Sequence, residues 1–209
     1  MHPRPVLTSA LVIAAVLAWL LPGAALGWEP GAAPWRLLTS QVAHWDGDHL
    51  LWDALAVLVL GCWAEGRWPG RARLGLAIAL PLIPLAVVVV HPDMAFRGLS
   101  GIACTLATVA AIGTWREGRQ HGDAIASTIA LLLLGLLLGK TAYETLTGDA
   151  VFAAAEGWWP VPLAHAVGAL CGWLAWAIPS PWKSKSNEQE TQRHRVSKMV
   201  GKTPASPAR

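Results

Sequence analysis

Arg97-Gly98-Leu99-Ser100-Gly101-Ile102 lies where a polar turn, His91-Pro92-Asp93, gives way to a new apolar run. A serine between two glycines at the mouth of a membrane helix has two readings. It is a good place for an exposed nucleophile, and a common start for a helix that packs closely on its neighbour. In a bilayer a serine often only bonds back to its own helix. Glycines permit close backbone approach, and the first N–H groups of a helix have no intrahelical acceptor. An oxyanion forming there would meet free donors and the positive end of the helix dipole.

Composition sets the medium around this stretch. Of 209 residues, 54% are hydrophobic and only 14% charged, where a soluble domain carries about 25% charged residues. Thirteen Trp stand against two Phe and one Tyr, and Trp favours the membrane–water interface. These numbers point to an integral membrane protein with no soluble globular part. Six apolar runs, each near the roughly 20 residues of a spanning helix, are Val6–Leu26, His49–Ala64, Leu74–Val90, Leu99–Trp115, Ala124–Gly139 and Val161–Ile178. The second and fifth are short, and Pro81 and Pro84 interrupt the third. The first has an apolar core too long for a signal peptide, so a retained helix is expected. Cys62, Cys104 and Cys171 fall inside apolar runs and read as packing residues.

The basic residues orient the chain. With the amino terminus in the cytoplasm, 13 of the 16 Lys and Arg fall on the inner side, and only Arg36, Arg97 and Lys140 fall in outer loops. The positive-inside rule therefore places both termini in the cytoplasm. Three segments then face outward: the loop 28–48, the turn 91–97 and a loop from Lys140 to Pro160. A polar basic tail over 181–209 is expected to be disordered and able to touch anionic lipid.

Ionisable groups at membrane depth are costly, so each asks for a reason. His49 and Asp53 are four apart and share a helical face, with His44 just upstream. No His-Glu-x-x-His is present, so no metal site is expected. In the sixth run Ala164, Gly168 and Gly172 repeat every four residues, a stripe that admits a close partner helix. The fourth run carries its own small face at Gly98 and Gly101. If these two helices meet, His165 can approach Ser100, the minimum for an activated serine. A buried histidine with a merely structural role is the competing reading.

Together these pieces resemble the rhomboid family of intramembrane serine proteases, over residues from about Trp35 to Trp176. Trp35-Arg36 followed by His44 and His49-Leu50 is similar to the family's first-loop pattern. Gly98-Leu99-Ser100-Gly101 matches its nucleophile motif, and Ala164-His165 with Gly168 and Gly172 matches its base-bearing helix. Within the family the chain looks most like the rhombosortase branch, through its compact size, His44-Trp45, His49 to Asp53, and Tyr143-Glu144 with Thr147-Gly148 in the fifth loop.

The resemblance implies an all-α membrane protein, a six-transmembrane-helix rhomboid-like bundle over 1–180 followed by the tail 181–209. It implies Ser100 as nucleophile and His165 as general base, a dyad without an aspartate, with His49 and the Ser100 N–H supporting the oxyanion. Asp53 stands where many rhomboids have asparagine; an ionised carboxylate cannot donate, so an orienting role toward His49 is expected. The implied substrates are membrane-anchored proteins with a C-terminal Gly-Gly segment, cut near the outer face of a bacterial inner membrane. Membrane lipid is the other expected partner; no cofactor, metal or nucleic acid is expected. The competing readings are a non-catalytic rhomboid-like protein that binds transmembrane helices, and a small transporter.

Overall fold

The structure, a computed structural model, describes residues 4–152 and 158–179, so the expected tail over 181–209 lies outside the described residues. The described chain is helical: α1 Val6–Trp19, α2 Gly23–Leu26, α3 Arg36–Thr39, α4 Gly47–Arg67, α5 Pro69–Val90, α6 Ser100–His121, α7 Ala124–Thr147 and α8 Pro162–Ala177. An isolated antiparallel bridge joins Trp28 to Phe96. Among the described residues, α4, α5 and α7 are long and apolar enough to cross a membrane, while α1 and α8 are shorter apolar helices. α6 has 22 residues, but its last turns carry Arg116, Glu117, Arg119 and His121. Each expected run contains a helix, with shifted ends.

The ends matter. The second and fifth runs are not short: α4 has 21 residues and α7 has 24. Lys140, expected in an outer loop, lies inside α7, as do Tyr143, Glu144 and Thr147. The helix continues past Gly139 because the charge is answered locally. Lys140 Nζ donates to Glu144 Oε1 one turn on, at 2.6 Å. Thr141, Thr145 and Thr147 also turn their hydroxyls back onto carbonyls four residues earlier. Gly148, at φ 78°, then ends the helix, its N–H donating to the Glu144 carbonyl. Gly148 is left-handed, and glycine adopts that conformation without steric cost.

The prolines do not interrupt α5, which runs unbroken through Pro81 and Pro84. A proline in a helix leaves the carbonyl four residues earlier without its donor. For Pro84 that carbonyl belongs to Leu80, and the buried Gln41 side chain donates Nε2–H to it at 2.7 Å. A buried carbonyl left unpaired costs about 1–3 kcal/mol, so Gln41 supplies from outside the helix what proline removes.

α6 is the central post. Every residue from Gly101 to Ala111 is buried, and α4, α5, α7 and α8 all contact it. α1 lies against α4, where Glu65 accepts the Leu7 and Thr8 N–H groups at 3.1 and 2.9 Å and caps the free start of α1. Cys104 and Cys171 are buried packing residues as expected, whereas Cys62 is exposed. Outward faces are strongly apolar: Leu131, Leu132, Leu136 and Leu138 on α7 and Val89 on α5 are exposed. Surface of that character is suited to hydrocarbon, and the chain is a membrane protein.

The α6–α8 crossing fixes everything at the site. The Ala164, Gly168, Gly172 stripe is the contact face, and its partner on α6 begins at Gly101. A Cβ built on Gly168 would overlap the Gly101 carbonyl, and one on Gly172 would strike the Thr105 carbonyl and the Thr108 side chain. Thr105 Oγ1 bonds across the crossing to the Gly168 carbonyl at 2.9 Å. Gly98 does not belong to this packing face, contrary to expectation. It precedes α6, and its neighbours are His49 and Asp53 on α4.

Candidate active site

Ser100 is the first residue of α6 and His165 lies in the first turn of α8. The close crossing below them brings His165 Nε2 to 2.9 Å from Ser100 Oγ. His165 is 3% exposed, so its ring sits in a protected position rather than at a free surface. Ser100 heads α6 with its backbone N–H among the donors that a first helical turn leaves unpaired.

Gly98 shapes the approach to Ser100. Its φ is 119°, a region L side chains rarely adopt. A Cβ there would also stand 2.8 Å from the His49 ring and 3.0 Å from Asp53 Oδ2. Its N–H donates to the Ser40 carbonyl at 3.1 Å. The next N–H, of Leu99, donates to Asp53 Oδ2 at 2.7 Å. Asp53 thus holds the peptide just before the serine.

The same Asp53 oxygen lies 3.3 Å from His49 Nε2 and 3.3 Å from His44 Nε2. His44, named in the sequence only as part of a pattern, is therefore a second histidine on this carboxylate. His49 is placed from three sides. Asp46 caps α4 by accepting the His49 N–H at 2.7 Å, and its other oxygen accepts from Trp158 Nε1 at 2.7 Å. Trp158 in turn stacks on the His49 ring, centroids 4.4 Å apart. Arg97 from the opening stretch is tied to Glu29 at 2.7 Å and lies over the Trp45 ring at 4.1 Å.

Ser100, His165, His49 and Asp53 all line one cavity of about 850 Å³ between α4, α6, α7 and the residues before α8. Its walls are largely apolar, including Trp52, Leu55, Val59, Leu136 and Phe152. The structure brings together all four residues expected at the site. It adds two that the sequence places in a loop. Glu144 Oε2 lies 2.8 Å from His165 Nδ1, and Lys140 Nζ lies 3.3 Å from the same nitrogen. The signal that could have found them is their i,i+4 spacing at the end of an apolar run, the spacing that singles out His49 and Asp53.

The arrangement can hold a hydroxyl against an imidazole, present free backbone N–H groups beside it, and take an extended apolar segment alongside. In a comparison with known families, the rhomboid domain matches residues 31–181. No curated protein shows a match to the chain.

Proposed function

The chain belongs to the rhomboid family, and on that premise we propose that it is an intramembrane serine endopeptidase working through Ser100 and His165. The family is in general one of intramembrane serine proteases that act on membrane-anchored substrates. The observation that carries the reading for this chain is the 2.9 Å approach of His165 Nε2 to Ser100 Oγ on the wall of an apolar cavity.

In the proposed reaction His165 Nε2 takes the hydroxyl proton as Ser100 Oγ attacks the scissile carbonyl. The oxyanion is met by the Ser100 N–H and by His49. The tetrahedral intermediate collapses, the C–N bond breaks, and His165 returns the proton to the leaving amine. Water then attacks the acyl-enzyme, again with His165 as base, and frees Ser100. A substrate helix has to unwind to present its carbonyl, and glycine lowers the cost of unwinding.

Asp53 enters as an organiser of the oxyanion corner. It fixes the Leu99 peptide and His49, and being a carboxylate it gives the oxyanion no hydrogen bond. Asp53→Ala leaves the Leu99 N–H without its acceptor and frees His49. Loss of one oxyanion donor costs about 10²–10³ in kcat, and Asp53→Ala is expected to approach that through His49. Asp53→Asn keeps an acceptor for Leu99 and adds a donor, so it is expected to cleave at least as fast as the native protein. An Asn variant as slow as the Ala variant, in a reporter-cleavage assay, would assign Asp53 a direct charge role instead.

The finer reading places the chain in the rhombosortase branch. It has a six-helix domain over 1–180, a basic tail, both termini in the cytoplasm and Ser100 toward the periplasm of a bacterial inner membrane. Its substrates are proteins ending in Gly-Gly, an apolar helix and a basic cluster. The support is the distribution of Lys and Arg and the resemblance of the motifs. The class of activity is tested with a fluorophosphonate probe on purified protein in detergent. Labelling is expected in the native protein and none in Ser100→Ala. A native protein that stays unlabelled would favour the non-catalytic, helix-binding reading.

A further inference from the structure

We propose that Glu144 is a positioning residue for His165, held in place by Lys140, so that the serine–histidine pair operates as a three-member chain. This rests on the reading of Ser100 as nucleophile and His165 as base.

The two oxygens of Glu144 have separate partners. Oε1 accepts from Lys140 Nζ at 2.6 Å and from the Val151 N–H at 3.2 Å. Oε2 lies 2.8 Å from His165 Nδ1 as an ion-pair contact and makes no hydrogen bond among the described residues. Lys140 and the peptide after α7 thus fix the carboxylate, and its second oxygen is left for the imidazole. Glu144 is 3% exposed. A carboxylate at membrane depth is costly. The lysine partner reduces that cost, yet a plain structural ion pair would not need its second oxygen held 2.8 Å from a histidine nitrogen.

The chemistry turns on which ring nitrogen carries the proton. His165 can take the Ser100 proton only if Nε2 is unprotonated, so Nδ1 must carry the hydrogen and needs an acceptor. Glu144 Oε2, 2.8 Å from Nδ1, is the carboxylate oxygen within reach to serve as one. Lys140, 3.3 Å from Nδ1, has only protons to offer and favours the opposite tautomer, with Nε2–H facing Ser100. Glu144 decides this contest by its shorter distance and by engaging the ammonium on its other oxygen. When Nε2 gains the serine proton, Nδ1–H stays on the ring and Glu144 stays ionised beside the imidazolium. Among the described residues, Ser100 from α6 and Lys140 and Glu144 from α7 approach the His165 ring, and His49 and Asp53 from α4 line the same cavity.

The proposal is tested in full-length protein in detergent or proteoliposomes, with a cleavable transmembrane reporter. In serine hydrolase triads the carboxylate-to-amide change costs about 10⁴ in kcat. Glu144→Gln is expected to lose about 10²–10⁴ in kcat with KM little changed, and Glu144→Asp to fall between it and the native protein. In Glu144→Ala, Lys140 is left, among the described residues, as the charged neighbour of Nδ1, so Lys140→Met added to Glu144→Ala is expected to raise the rate. A merely structural ion pair predicts the reverse, since the second substitution would only add damage. A readout free of turnover is the Nδ1 proton resonance of His165 in ¹⁵N-histidine-labelled Ser100→Ala protein. It is expected at low field with Glu144 present, and lost when Glu144→Gln is added. Glu144→Gln within about threefold of native kcat, while Ser100→Ala is dead, overturns the role of Glu144 and leaves the pair standing. Ser100→Ala that still cleaves overturns both.

Discussion

Ser100→Ala is expected to abolish release of a membrane-anchored reporter, with a loss on the order of 10⁶ in kcat by analogy with other serine hydrolases. His165→Ala is expected to be about as severe, because an unassisted serine hydroxyl is a weak nucleophile. The double variant is the sharper test. Residues that act as one unit are strongly non-additive, so losing both is expected to cost little more than losing either. Neither change should disturb the fold. Ser100 heads its helix, and truncation at His165 leaves the Gly101–Gly168 contact untouched. Pulse-labelled cells carrying a reporter that ends in Gly-Gly, an apolar helix and a basic cluster provide the measurement. Full release by either single variant would remove these residues from the chemistry.

Gly168→Ala is expected to inactivate from a distance. The added methyl group would overlap the Gly101 carbonyl; a methyl has no other rotamer and the group it meets is backbone, so no side-chain movement relieves it. α6 and α8 must separate, and with them Ser100 and His165. A misplacement of about 1 Å at reacting groups can cost about 10²-fold in rate, and overpacking costs about 1–3 kcal/mol in stability. Both losses are expected together, read as cleavage rate and thermal midpoint in detergent. Gly66 is the control, because a Cβ there meets nothing within 4 Å. Gly66→Ala is expected to keep full activity and to gain up to about 1 kcal/mol, since glycine in a helix is entropically costly. A Gly168→Ala protein with native rate and midpoint would mean the crossing tolerates a wider gap than the structure implies.

The helices are legible because apolar runs in a membrane protein have little else to be. Their ends are less so. The sequence reads as ending α7 at Gly139, because a lysine after an apolar run normally marks the interface. Here Glu144, one turn further on, answers its charge, so the helix runs past the end of the apolar stretch. Likewise Pro81 and Pro84 read as breaks because a sequence cannot show Gln41 reaching across to Leu80. The Ala164, Gly168, Gly172 stripe is legible, since small residues in a lipid-facing context leave few alternatives to close packing. Gly98 reads as part of that same face and is not: a positive φ and a contact with α4 leave no periodic trace. Ser100 and His165 can be named from motif and order, but their 2.9 Å approach depends on the crossing. Glu144, the proposed third member, is hidden by the misplaced end of α7.

The segment around α3 has the polar, irregular look of a surface connection, yet Ser40, Gln41, Ala43 and His44 are at most 4% exposed. It ties Ser40 to Gly98, Gln41 to Leu80 and His44 to Asp53. Connections between helices are ordinarily where a chain accepts added residues, epitope tags or a protease nick with least harm. This one behaves as a brace between α5 and the peptide that leads into Ser100. An epitope tag placed within it is expected to disturb the candidate site, although it lies more than fifty residues before Ser100 in the chain.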